Sequence, residues 1–261
     1  MLFAAVVSLA YLGVCGLLWA TQESLLFFPR ALAHPPTHPA AESVDIERPD
    51  ALLRGWVVNA VQHGPVIVYF GGNAEEVSVN IGAFAERCAT TVLMNYRGYG
   101  ESTGKPSERH LVGDAVAVSE WAKERFPDRP LVLFGSSLGA GIAVLAAAQI
   151  GPEAAILLSP YRSIARVAQK HFRVFPVRWM LRHPFRAESV VGAMPPALVI
   201  ASSEDEIIPY EESLGMVRAM RAVENAPRIE FLSIDGRHNW IRGSPELWQA
   251  VDDYLGRLSQ S

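Results

Sequence analysis

Leu131-Val132-Leu133-Phe134-Gly135-Ser136-Ser137-Leu138-Gly139-Ala140-Gly141 is the stretch on which the fold turns. The apolar run Leu131 to Phe134 reads as a buried parallel strand. It stops at Gly135-Ser136-Ser137-Leu138-Gly139, a Gly-x-Ser-x-Gly turn, and an alanine-rich helix pattern from Leu138 to Ile150 follows at once. Between a strand and a helix, the serine of such a turn sits on a sharp, strained corner, its hydroxyl lifted above the sheet edge. Flanking glycines let the two backbones approach. The Leu138 N–H, in the first turn of the helix, is then placed to donate to a developing oxyanion. The pentapeptide alone also fits an ordinary glycine-rich turn; the elements on both sides point to a nucleophilic Ser137.

Strands and helices alternate outward from this turn. Ser43–Glu47 and Leu52–Val58 form a hairpin around Pro49-Asp50. Strands are expected at Val66–Phe70, Thr91–Asn95, Ala154–Leu158, Ala197–Ala201 and Arg228–Ile234. Helices are expected at Glu75–Cys88, Glu108–Phe126, Glu211–Ala222 and Pro245–Leu258. This order predicts an α/β fold: a mostly parallel, twisted sheet with helices on both faces and chemistry at the carboxyl ends of its strands.

A serine hydroxyl needs an adjacent base, and the base needs a third group to hold its tautomer. After a strand–turn–helix serine the chain order is acid, then histidine. Of His171, His183 and His238, only His238 follows directly from a strand end, in Ile234-Asp235-Gly236-Arg237-His238-Asn239. The strand Leu198 to Ala201 runs into Ser202-Ser203-Glu204-Asp205-Glu206-Ile207-Ile208-Pro209. Asp205 lies mid-loop and is the candidate acid. Glu204 and Glu206 read as solvated neighbours, and Asp235 is a competitor too close to His238 in sequence. The turn Gly71-Gly72-Asn73-Ala74, after Val66–Phe70, is expected to supply the Asn73 N–H as second oxyanion donor beside Leu138.

The chain has 261 residues, half of them apolar, enough for one domain with a sizeable core. A net charge of -4 gives no reason to expect nucleic acid as a partner. Cys15 and Cys88 form no disulfide framework and read as passive, and no metal-ligand cluster is evident. Leu2 to Ala20 carries no charge and spans roughly 29 Å as a helix, close to the hydrocarbon thickness of a bilayer. A cleaved signal peptide is the rival reading. No Lys or Arg precedes the run, and Leu18 occupies the position where cleavage needs a small side chain. The expected organisation is an anchor over 1–21, a linker over 22–42 and a domain over 43–261.

Beyond the serine turn, the carriers of a wider likeness are Leu26-Phe27-Phe28-Pro29, Tyr69-Phe70-Gly71-Gly72-Asn73-Ala74, Asn95-Tyr96-Arg97-Gly98-Tyr99-Gly100-Glu101-Ser102, Pro106-Ser107-Glu108, Asp205-Glu206-Ile207-Ile208-Pro209 and Gly236-Arg237-His238-Asn239. With them the chain resembles the α/β-hydrolase superfamily from about Gln22 onward. Within it, the chain resembles the membrane-anchored α/β-hydrolase-domain proteins, which include protein depalmitoylases and lysolipid lipases. That branch often carries His or Gln at the position of Gly71 and Gly at that of Ser203. The resemblance implies an α/β-hydrolase fold with a short helical lid. Arg97 either buttresses the sheet edge through backbone carbonyls or binds an anionic substrate.

The lid would be the insertion over about 160–194. Pro160 to Ala187 holds seven cations and no acid. Arg162, Arg166, Lys170 and Arg173 share one helical face, with Trp179 among the interleaved aromatics. Next to an anchored membrane surface, such a face is expected to meet anionic lipid headgroups; the plainer reading is a solvated basic face. The expectation is a cofactor-free, membrane-anchored serine hydrolase acting on an ester or thioester with an acyl chain. The alternative is a catalytically silent hydrolase fold serving as a binding or scaffold module at the membrane. Membrane side and oligomeric state are not encoded in any motif.

Overall fold

The computed structural model describes residues 1–60 and 63–259. Its eight strands are β1 (Ala41–Arg48), β2 (Ala51–Val58), β3 (Val66–Phe70), β4 (Thr90–Met94), β5 (Leu131–Ser136), β6 (Ala154–Leu158), β7 (Ala197–Ser202) and β8 (Ile229–Ile234). They form one sheet in the order β1-β2-β4-β3-β5-β6-β7-β8. The β1–β2 hairpin and the β2–β4 pair are antiparallel; every other pair is parallel.

The central strands are buried on both faces, and their side chains divide with a period of two. Val66, Val68, Leu131 and Leu133 pack with α3 (Glu108–Arg125) and α4 (Leu138–Ile150). Ile67, Tyr69, Val132 and Phe134 pack with α2 (Ile81–Ala85) and α8 (Pro245–Leu258). A Cβ on Gly135 would overlap the Gly139 backbone, and one on Gly139 would overlap the Phe70 carbonyl. Both glycines therefore serve the close approach of β5, α4 and β3.

Two expected elements move by more than two residues. The helix expected over Glu75–Cys88 shrinks to a 3-10 turn, Val77–Asn80, followed by α2. Glu75 and Glu76 are drawn out of it by their side chains, which bind Tyr69, Gly72, Asn80 and Arg242, and Ser78 and Asn95, respectively. At the N-terminus, α1 runs from Leu2 to Leu26, five residues past the expected end of the anchor. Gln22, in this added stretch, is buried against the insertion. Its Nε2 donates to the Met180 carbonyl and its Oε1 accepts the Arg182 N–H. Met180 closes α6 (Val177–Met180), which follows α5 (Ile164–His171) in the insertion between β6 and β7; α7 (Tyr210–Arg221) then leads to β8.

Candidate active site

Three strand ends converge. Ser137, between β5 and α4, has φ 53° and ψ -116°, the strained corner expected of the turn. Its N–H donates to Leu158 at 2.9 Å, which ties the corner to β6. His238 follows β8 and Asp205 follows β7. The Ser137 Oγ stands 3.0 Å from His238 Nε2, and His238 Nδ1 stands 2.6 Å from Asp205 Oδ2. An ionised carboxylate only accepts, so Nδ1 carries the proton and Nε2 is left to accept the serine hydroxyl. Asp205 is itself held on every side. Oδ1 accepts the N–H groups of Ile207 and Ile208, and Oδ2 also accepts the Ser159 hydroxyl.

The Gly71–Ala74 loop stands over Ser137. Glu75 Oε2 accepts the Gly72 N–H at 2.8 Å, and the Tyr96 hydroxyl donates to the Gly71 carbonyl at 2.7 Å. Asn73 uses its side chain to clamp the exit of α1. Its Oδ1 accepts from the Phe28 N–H and the Tyr99 hydroxyl, and its Nδ2 donates to the Leu26 carbonyl. The backbone N–H groups of Asn73 and Leu138 donate to no acceptor among the described residues. A cleft of about 540 Å³ opens here, lined by Phe28, the 72–76 loop, Ser137, Ile207, His238 and Arg242.

A family model described as serine aminopeptidase, S33, matches residues 70–190. An uncharacterized protein of Mycobacterium tuberculosis is 35% identical over 82% of this chain and 81% of its own length. The chain belongs to the α/β-hydrolase superfamily. Within it, the lysophosphatidylserine lipase ABHD12 of Xenopus tropicalis is 30% identical over 75% of this chain. The chain spans only 58% of that relative's length. Among solved structures, the esterase Pf2001 of Pyrococcus furiosus superposes with a TM-score of 0.71 at 17% identity, covering 88% of this chain and 97% of the esterase. The chain is thus a hydrolase of this superfamily, similar over part of their length to the ABHD12 lipases.

The insertion departs from expectation. Arg166 and Lys170 do share a face of α5, and with Arg162, which precedes the helix, they converge on Glu212 of α7, whose carboxylate is fully buried. Arg173 turns back toward the Lys170 carbonyl, and Trp179 is largely exposed. None of these five side chains lines the serine cleft; Arg166, Lys170 and Arg173 line a separate cleft on the opposite face of α5 from Ile164 and Ala168. Arg97 buttresses, through carboxylates rather than carbonyls: it is buried, with two bonds to Asp114 and one ion pair to Asp50.

Several supporting groups escaped the sequence reading. Ser159 directly follows β6 and bonds Asp205, and its place at a parallel strand's carboxyl end was the available signal. Glu206 is not a bystander. It accepts the His238 N–H at 3.1 Å and pairs with Arg237, and both hold its carboxyl below the usual range. Arg242 and Glu75, 167 residues apart, join behind the loop, and no local pattern announces such a pair.

Proposed function

We propose that this hydrolase is membrane-anchored and cleaves carboxylic ester or thioester bonds of acyl-chain substrates through an acyl-enzyme on Ser137. The observation that carries the reading is the Ser137–His238–Asp205 chain at 3.0 and 2.6 Å. His238 Nε2 takes the hydroxyl proton as Oγ attacks the carbonyl carbon. The N–H groups of Asn73 and Leu138 receive the oxyanion, each worth about 3 kcal/mol in the transition state. His238 then protonates the leaving group, and the same base activates the water that frees the acid. Asp205 keeps the imidazole in register and stabilises its cationic form.

Membrane anchoring is supported by α1, 25 residues long with a hydropathy of 2.1. Against cleavage, Tyr11, Gln22 and Glu23 all bond into the insertion. The name of the ABHD12 relatives supports a lysolipid-type acyl ester as the substrate class. The deciding experiment is fluorophosphonate labelling of the full chain with hydrolysis of p-nitrophenyl butyrate. Wild type should label and turn over, and Ser137→Ala should do neither while melting cooperatively. Labelling that persists in Ser137→Ala would move the nucleophile elsewhere. A wild type that neither labels nor hydrolyses would favour a silent scaffold.

A further inference from the structure

We infer that the substrate's acyl chain lies in the apolar groove between α1 and the α5–α6 insertion, entering from the bilayer and reaching Ser137 past Phe28. The inference rests on the acyl-hydrolase reading above and adds where the chain is held. The groove encloses about 370 Å³ between Leu18, Leu25 and Leu26 of α1 and Ala168, Phe172 and Met180 of the insertion. That is within the roughly 300–1,000 Å³ of small-molecule sites. Gln22 in its wall has its carboxamide spent on Trp19, Met180 and Arg182, so beside the Trp19 indole the groove offers a ligand almost only hydrocarbon. Such a lining holds water poorly and suits an alkyl chain.

Phe28 joins the two sites, since it lines both this groove and the serine cleft. Its backbone is pinned there by Asn73 and Tyr99. A chain lying along α1 therefore meets the oxyanion loop at the point where α1 ends.

The other end of the groove faces lipid. Glu23 pairs with Arg182 near the foot of α1, while Tyr11 stacks on Phe175 and donates to the Val174 carbonyl. Twelve residues of helix separate Tyr11 from Glu23, about 18 Å of rise. The insertion thus climbs α1 by more than half of a hydrocarbon core of roughly 30 Å. At its edge Val174 and Trp179 are 74% and 84% exposed, apolar surface that a bilayer would cover. A single-chain lipid can slide its tail in without first crossing water.

The test fills the groove with Ala168→Trp in the full chain, reconstituted in phosphatidylcholine liposomes. Wild-type kcat/KM on p-nitrophenyl esters should rise about fourfold per added methylene until the groove is full. Ala168→Trp should cut palmitate hydrolysis by at least about tenfold more than butyrate hydrolysis, the worth of roughly two methylenes. A second readout needs no catalysis. Palmitic acid carrying a terminal diazirine should cross-link to residues 18–28 or 164–181 in wild type, and lose that cross-link in Ala168→Trp. Equal loss on both esters, no loss on either, or cross-links elsewhere would overturn the groove. Cross-links in the groove of a protein that neither labels nor hydrolyses would keep the groove and overturn the hydrolase reading.

Discussion

At the scale of single residues, the site is a set of backbone positions fastened by side chains. Ser137 occupies a positive φ that few side chains accept, and its N–H bond to Leu158 keeps it there. Asn73 carries two functions in separable atoms. Its backbone N–H is the proposed oxyanion donor, while its carboxamide grips Leu26, Phe28 and Tyr99. Asn73→Ala keeps the first and removes the second. We expect kcat to fall by up to about a hundredfold, the usual cost of a misplaced loop near the reacting atoms. Fluorophosphonate labelling should slow but still occur at Ser137. Full wild-type kcat in this variant would show that the clamp does not position the loop.

Among the elements, the insertion behaves differently from its charge pattern. Three of the four cations expected to align, Arg162 just before α5 and Arg166 and Lys170 on it, surround Glu212, so this segment is a packed part of the fold rather than a loose basic flap. Glu212 is fully buried and its two oxygens take a fork from Arg162 at 3.0 and 3.2 Å. Glu212→Gln leaves those cations without their counter-charge and should destabilise by about 3 kcal/mol. A urea melt measures it. A midpoint equal to wild type would mean the cluster is solvated and energetically idle. The three cations then remain for the reader of the sequence what they first looked like, a charged face; only the packing of α5 on α7 makes them structural.

For the whole molecule, the tyrosines set an alkaline limit. Burial pushes Tyr69, Tyr96 and Tyr161 well above the usual phenol range, and pushes Tyr99 and Tyr254 up to about 12. In the unfolded chain these groups ionise near pH 10, roughly their unperturbed value. A raised folded pKa means the folded state holds the proton more tightly. The stability it contributes is complete below pH 10 and drains away as pH climbs toward the folded value. Each such tyrosine adds about 1.4 kcal/mol per pH unit to the slope above that point. Urea melts between pH 8 and 11.5 should therefore steepen in their decline above pH 10. Phenolate absorbance near 295 nm from the buried set should rise only with unfolding. A rise at pH 10 worth more than two of the chain's seven tyrosines, with the chain still folded by circular dichroism, would defeat this account.

Local pattern was enough to determine the order of strands and helices, because burial imposes periods of two and 3.6 on consecutive residues. It set β3, β6, α4 and α8 to their observed ends, and it singled out the serine turn, since strand, Gly-x-Ser-x-Gly and helix are contiguous. His238 and Asp205 were legible because strand ends in a parallel sheet share one edge. Contacts across long separations were not legible. Glu75 reaches Arg242 over 167 residues, Gln22 reaches Arg182 over 160, and Arg162 reaches Glu212 over 50. A charge or an amide finds its partner only after helices have packed, and hydrophobic periodicity dictates which face packs, not which polar group waits there. For that reason the sequence marked α1 as an apolar span, while only the tertiary structure made it a wall of the apolar groove against the insertion.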